Sequence, residues 1–379
     1  MKRKRILISP NSFKECADSV IIAELIRDEL KILKNVDLIT KPVSDGGDGF
    51  LNVCKFYVGG EVRYYKIVTA YDESTFECPV LYSENRKEIY IESALVLGLM
   101  VVPITFRNPL KLTSKGLGEL LVEINNDVKR GRIKVENVFI GIGGTATIDM
   151  GMGMMSELGL KLFDSENKEI TMLPENFLNI QEIRYEPINF PFNLICIIDV
   201  TNPLIDHNNG IEIFGRQKGA DEKMVFQLIK SFDHLIKLFE YKNLIENTKS
   251  LSGAGGGIPA AFQIFYKISP CSSFNFLERN LGFGDYVNKV DYLITGEGAY
   301  DHQSRFGKGV SVLLELLHSK VEKIFLVCGK ISDESFAKLP QNVYPIELNK
   351  YFSSHNEAIN NYKNGLNKAC QEIIEQLNF

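Results

Sequence analysis

Short apolar runs that end in polar, glycine-rich turns constrain this chain more than any other feature. "RILIS" (5–9) runs into "SPNSFKE" (9–15), and "VDLITKPV" (36–43) into "SDGGDG" (44–49). Between and after them, "DSVIIAELIRDEL" (18–30) carries apolar residues at helical spacing behind a candidate Asp18 cap, and "GDGFLNVCKFY" (47–57) reads as a second helix. Strand, helix, strand, helix is the opening of an open α/β sheet. The same alternation returns near the other end, in "DYLIT" (291–295), "VSVLLELLHS" (310–319), "KIFLVCG" (323–329) and the helical stretch 355–377.

The middle of the chain has another rhythm. "EVRYYKIVTA" (61–70), "FECPVLYS" and "KEIYIES" (87–93) are β-rich and suggest a partly antiparallel sheet. A helix within 114–129, a strand into 141, a strand at "NLICIID" (193–199), and helices at about 221–241 and after "GAGGG" (253–257) follow. The expected fold class is α/β with two α/β domains. The first is a discontinuous, parallel, open sheet of Rossmann or flavodoxin type, built from both chain ends (1–70 and 288–379). The second (71–287) is inserted and carries a mixed sheet. No Pro/Gly/Ser-rich linker marks the joins.

Composition narrows the function classes. The chain has 379 residues, enough for two domains, with 45% hydrophobic and 24% charged residues. A net charge of −5 gives no general attraction to nucleic acid or to an anionic membrane. The basic start, Lys2 to Arg5, meets a strand too short for a signal segment, so a cytoplasmic protein is expected. The 7 cysteines are scattered without CxxC or Cys/His spacing, which argues against zinc and for reduced thiols.

The expected strand ends share a composition: "SPNSFKE", "SDGGDG", "GIGGTATID", "DVTNPL" (199–204) and "TGEGAYDHQ" (295–303). Ligands of open α/β sheets bind beyond the carboxyl ends of strands, where glycine lets backbone N–H groups approach an anion. Phosphoryl transfer needs cations on the travelling phosphate, carboxylates for Mg²⁺, and a group that orients or deprotonates the hydroxyl. Lys14, Lys218 and Lys308 supply cations; Asp45, Asp48, Asp149, Asp199, Glu297 and Asp301 supply acids. No GxxxxGK[ST], GxGxxG or GxSxG pattern occurs, and His207, His234, His302, His318 and His355 form no triad context. "GIGGTATIDMGMGM" (141–154) has two readings. It is a tight turn into a packed helix, or an anion cradle offering donors from Gly143, Gly144, Thr145 and Thr147.

The ordered set "SPNSFKE", "PVSDGGDG", "IESALVLGL", "RNPLKLTSKGLGEL", "GIGGTATIDMGMGM", "DVTNPL", "FGRQKGA", "GAGGGIPAA" and "DYLITGEGAYDHQSRFGKG" resembles the bacterial class I glycerate kinase family, from about residue 5 to 329. The resemblance implies ATP- and Mg²⁺-dependent phosphorylation of D-glycerate in a cleft between two domains. The product is 2- or 3-phosphoglycerate, the former favoured. Lys14 is then placed on phosphate, and Asp45 on the substrate hydroxyl or the metal, with Asp199 second for that role. Glu297 and Asp301, read as flanking Gly298 in a loop, are the candidates for Mg²⁺. Ser12, Gly46, Gly47, Gly143, Gly144, Thr145, Thr147, Gln217, Lys218, Gly296 and Lys308 are the candidates for substrate or phosphate. Asp149 is a candidate helix cap, and Met152, Met154 and Met155 are read as core.

The chain departs from the family's usual residues. Asn11 stands for Asp, Glu15 and Cys16 for Gly-Ser, Ile148 for Asn, Met150 for Gly and Ala299 for Arg; the proline of GKxP is replaced near Val310. Two alternatives stay open on these grounds. One is a kinase for another short hydroxy acid or sugar acid. The other is a non-catalytic sensor of a hydroxy acid or nucleotide.

Overall fold

The computed structural model describes residues 3–72, 74–199, 203–204, 210–245, 247–287, 289–301 and 309–377. Contacts divide the chain into two compact units, Met1–Val58 with Ser272–Phe379, and Gly59–Cys271.

The first unit opens with β1 (Lys4–Ile8), α1 (Ser19–Leu30), β2 (Val36–Thr40) and α2 (Phe50–Val58). Asp18 has extended backbone angles, and its carboxylate accepts from Ile21 N, which starts α1 where the sequence places its cap. Ile22, Ala23, Ile26 and Leu30 recur at helical spacing, and all four are buried.

The second unit runs β3 (Glu61–Val68), β4 (Thr75–Ser83), β5 (Glu88–Glu92), α3 (Ser93–Leu97), α4 (Lys115–Lys129), β6 (Asn137–Ile142), α5 (Met152–Glu157), β7 (Leu160–Phe163), β8 (Glu182–Tyr185), β9 (Asn193–Ile198), α6 (Gly210–Gln217), α7 (Glu222–Tyr241), α8 (Ile258–Tyr266) and β10 (Cys271–Ser272). Its sheet has the order β10-β9-β6-β5-β4-β3. β3 and β4 form an antiparallel hairpin, while β5, β6 and β9 are mutually parallel. Met152, Met154 and Met155 are fully buried in the core of this unit.

The chain then completes the first unit with α9 (Ser273–Asn280), α10 (Gly284–Val287), β11 (Tyr292–Tyr300), α11 (Gly309–Leu317), β12 (Lys323–Ile331), α12 (Asp333–Phe336), β13 (Val343–Glu347), α13 (His355–Asn360) and α14 (Tyr362–Leu377). All neighbours in its sheet, β13-β12-β11-β1-β2, are parallel. "RILIS" and "DYLIT" therefore lie side by side, Ile6 opposite Tyr292. One face of the sheet is covered by α1 and α14, through Ile22, Ile26, Leu366 and Ile373.

The joins fall earlier than residues 70 and 287. β3 is already zipped to β4 in the second unit. α9 already belongs to the first, where Phe276 meets Phe50 of α2 with ring centroids 5.6 Å apart. Two expectations of local structure are also corrected. The stretch 355–377 is two helices, because Asn361 ends the first and accepts from Asn364 N and Gly365 N at the start of the second. "TGEG" (295–298) is not a loop: β11 continues to Tyr300, paired with β12 throughout. Among the described residues no helix is long and apolar enough to cross a membrane.

Candidate functional site

In the first unit, chain order runs from β1 outward to β2 and, on the other side, from β11 outward to β12 and β13. The strand order thus reverses between β1 and β11. Loops leaving the two strands at such a point part to opposite faces and open a crevice at their carboxyl ends. The turn after β1 is held along this edge. Ser9 N donates to Ile294 O at 2.8 Å, Thr295 Oγ1 to Ser9 O at 2.8 Å, and Asn11 N to Gly296 O at 2.8 Å. The chain then bends back at Phe13, whose N–H donates to Ala17 O at 2.9 Å. Glu15 sits in this bend with φ 65°, in the left-handed region.

The turn after β2 is closed by its own side chains. Ser44 Oγ accepts from Gly46 N at 3.1 Å, and Asp45 Oδ1 accepts from Gly47 N at 2.9 Å. Asp45 is half-buried. Burial pushes the neighbouring Asp48 carboxyl up, Asp45 adds to that shift, and Lys14 opposes it. A cation and two acids therefore share one electrostatic neighbourhood.

A cavity of about 260 Å³ lies at this switch point. Asn11, Ser12, Lys14, Asp45, Glu297 and Asp301 line it, as do Cys16, Leu348, Asn349, His355, Ile359 and Tyr362. Glu297 is buried, on the strand itself, and Asp301 follows the strand end. The two therefore do not flank Gly298 in a loop, as expected from sequence; strand pairing carries Glu297 and Gly298 up to the cavity. Gly296 is buried inside β11, where a Cβ would stand 1.6 Å from Val327 O, so close backbone approach alone demands glycine there. Lys308, His207 and His302 lie outside the described residues.

The second unit gathers the other candidates. β6 and β9 run parallel with Ile142 opposite Ile198, so Gly143 and Asp199 leave adjacent strands at one level. The 143–150 turn is stitched down at several N–H groups. Gly143 N donates to Ser93 Oγ at 3.3 Å, Ala146 N to Leu97 O at 2.6 Å, and Met150 N to Gly256 O at 2.9 Å. Gly144 is exposed at the tip with φ 64°, and its carbonyl accepts from Leu99 N at 3.1 Å. Thr147 is fully buried, and its Oγ1 makes no hydrogen bond to the described residues.

Lys218 is buried beneath this turn. Its Nζ donates to Thr145 Oγ1 at 3.2 Å and to Thr147 O at 3.0 Å. Burial pushes its ammonium down to about 8, against the pull of Asp149. Gln217, one residue earlier, is exposed at the end of α6. Asp149 is fully buried and accepts from Gly151 N at 3.1 Å, Gly153 N at 3.1 Å, Ser114 N at 2.7 Å and Ser114 Oγ at 2.7 Å. It ties the start of α5 to the start of α4, a helix-capping role. Ser114, which also accepts from Met154 N at 2.8 Å, was not singled out from sequence, although it stands within "RNPLKLTSKGLGEL".

A family model described as the glycerate kinase family matches residues 6–378. The chain belongs to the glycerate kinase family. It is accordingly a kinase. It is 32% identical over 340 residues to the glycerate 2-kinase of Escherichia coli K12, covering 87% of this chain and 86% of that protein. It is 30% identical over 329 residues to a glycerate kinase of Bacillus cereus, with 84% of each chain covered. A Salmonella typhimurium LT2 protein, crystallised as a candidate glycerate kinase 2, shares the fold with a TM-score of 0.76 at 24% identity, over 99% of this chain and 98% of that one.

Two departures from the family's usual residues now have a geometry. Glu15 (φ 65°) and Met150 (φ 53°) occupy left-handed backbone where the family usually has glycine. At both positions this chain carries the strain of a side chain in left-handed backbone. Asn349, His355 and Tyr362, which the cavity adds, lie beyond every quoted motif and carry no sequence signal of a site.

Proposed function

We propose that this chain transfers the γ-phosphoryl group of ATP to the 2-hydroxyl of D-glycerate, giving 2-phosphoglycerate and ADP. The observation that carries this reading is the cavity at the β1/β11 switch point, where Lys14, Asp45, Glu297 and Asp301 converge. Lys14 neutralises the travelling phosphoryl group. Asp45 accepts the proton of the substrate hydroxyl as its oxygen bonds to phosphorus and the β,γ-bridging oxygen departs with ADP. In the second unit, the Gly143–Thr147 turn with Lys218 is the candidate anion site, and Asp199 is the second candidate base.

Among the described residues no three His, Cys, Asp or Glu side chains form a metal cage. The carboxylates on the cavity do fit Mg²⁺, which commonly takes one or two of them and completes its shell with water and phosphate oxygens. Glu297 and Asp301 would hold it, and bound there it would offset charge on the phosphates. The position of transfer follows the E. coli relative, whose name specifies a 2-kinase.

The test is ADP release with Mg²⁺-ATP and D-glycerate, beside L-glycerate, glycolate, lactate and tartronate. Addition of enolase without a mutase then reads the product, because only 2-phosphoglycerate is dehydrated to phosphoenolpyruvate. Turnover with D-glycerate and an enolase signal are expected. Faster turnover of another acid in the panel replaces the substrate. Turnover without the enolase signal replaces the position.

A further inference from the structure

The cavity of the first unit runs along the carboxyl edge of the sheet. Lys14 and Asp45 follow β1 and β2 on one side of it, and Leu348 and Asn349 follow β13 on the other, with Ile359 and Tyr362 also on the lining. The β13 side lies outside all the motifs that carry the phosphate chemistry. Its polar atom is distinctive. Asn349 Oδ1 is buried, and among the described residues no group donates to it. The amide nitrogen of the same side chain lies 3.4 Å from His355 Nδ1, which turns the oxygen, not the nitrogen, away from the imidazole.

We propose that this side is the base subsite of the nucleotide and that Asn349 reads adenine. The inference rests on the reading of ATP as phosphoryl donor. A carboxamide pairs with the edge of adenine in two places: its oxygen accepts from the exocyclic N6 amine and its nitrogen donates to the adjacent ring nitrogen. Asn349 Oδ1 supplies the acceptor, and the second amide hydrogen, the one not directed at His355, supplies the donor. Hypoxanthine and guanine carry a carbonyl oxygen where adenine has the amine, which sets acceptor against acceptor. Leu348, Ile359 and Tyr362 give the apolar walls that a purine needs, and burial makes an unmatched polar edge costly. The base then lies on the β13 side and the phosphates toward Lys14.

Equilibrium binding of ADP and IDP to the full chain tests this without turnover. The wild type is expected to bind ADP about tenfold or more tighter than IDP, and Asn349→Leu to reduce that ratio to about one. Ile359→Trp, which narrows the cavity from a half-buried position, is expected to weaken ADP about tenfold while leaving inorganic tripolyphosphate unchanged. Equal affinities of the wild type for ADP and IDP overturn the assignment. So does an ADP/IDP ratio that survives Asn349→Leu, or a tripolyphosphate affinity that falls together with ADP in Ile359→Trp. Failure of the kinase reading looks different: the ADP/IDP discrimination through Asn349 persists, and no phosphate reaches any hydroxy acid.

Discussion

Lys218 reaches across 73 positions of sequence to place its ammonium 3.2 Å from Thr145 Oγ1. The same nitrogen lies 3.0 Å from Thr147 O, so one buried cation fixes both threonines of the turn after β6. Burial of that ammonium costs desolvation of its charge, and the proposed anion site would be where that charge meets a ligand.

That cost sets a pH dependence. The folded-state value of Lys218, about 8, lies below its ordinary 10.5, so between those two values the unfolded chain binds more protons than the folded one. The penalty is full below pH 8 and is relieved as pH rises toward 10.5. Lys218→Met should therefore melt within about 1 kcal/mol of wild type at pH 7, and should lack the wild type's relative gain between pH 8 and 10. Its kcat/KM for the acid substrate should fall by about 10²-fold. Chemical denaturation at both pH values, with kinetics on the same preparation, checks each part. A variant with wild-type kinetics would remove Lys218 from the anion site.

Asp45→Asn should lower kcat by roughly 10²-fold or more. The fold should survive, since Asp45 is half-buried and the hydrogen bond it accepts from Gly47 N can be accepted by an amide oxygen. Steady-state kinetics beside a melting curve separate the two effects. Near-normal turnover would move the base role to Asp199.

Glu15 and Met150 both pay for left-handed backbone, but the same substitution should act in opposite directions. Glu15 is exposed, so Glu15→Gly relieves strain with little lost and should stabilise by up to about 1 kcal/mol. Met150 is fully buried, so Met150→Gly loses about 2 kcal/mol of apolar burial, more than the relief, and should destabilise. Two denaturation curves decide it. Stabilisation by Met150→Gly would mean that strain outweighs packing there.

Gly144→Val distinguishes the two readings of "GIGGTATIDMGMGM". Its φ of 64° predicts a stability loss of about 1 kcal/mol or more whichever reading holds. If the exposed tip also meets an anion, the folded variant should bind either ATP or D-glycerate much more weakly, one far more than the other. Melting temperature and both dissociation constants on one preparation supply the comparison. Intact affinities in a less stable protein would make the stretch a turn only.

Most strands and longer helices were legible because their signals are local. Asp18 with Ile22, Ile26 and Leu30 announces α1, and the polar stretches after β1, β2, β6 and β9 announce where those strands end. Other elements were not. β13 contains Pro345, which argues against a central strand; it stands at the sheet edge, where one missing N–H is tolerated. Glu297 read as a loop residue because glycines surround it, yet pairing with β12 keeps it in a strand.

The sequence by itself determined the parallel α/β character of the chain ends, the mixed sheet between them, and the order of motifs that marks the family. Period and turn chemistry act over a few residues and need no partner to be read. Only the tertiary structure decided that Lys218 is buried under Thr145 and Thr147. It alone decided that Asp149 serves Ser114 and two helix starts, and that Asn349 shares a cavity with Lys14 and Asp45. Each of these joins residues far apart in the chain, and their burial and pairing follow from which strands lie side by side, which no local pattern encodes.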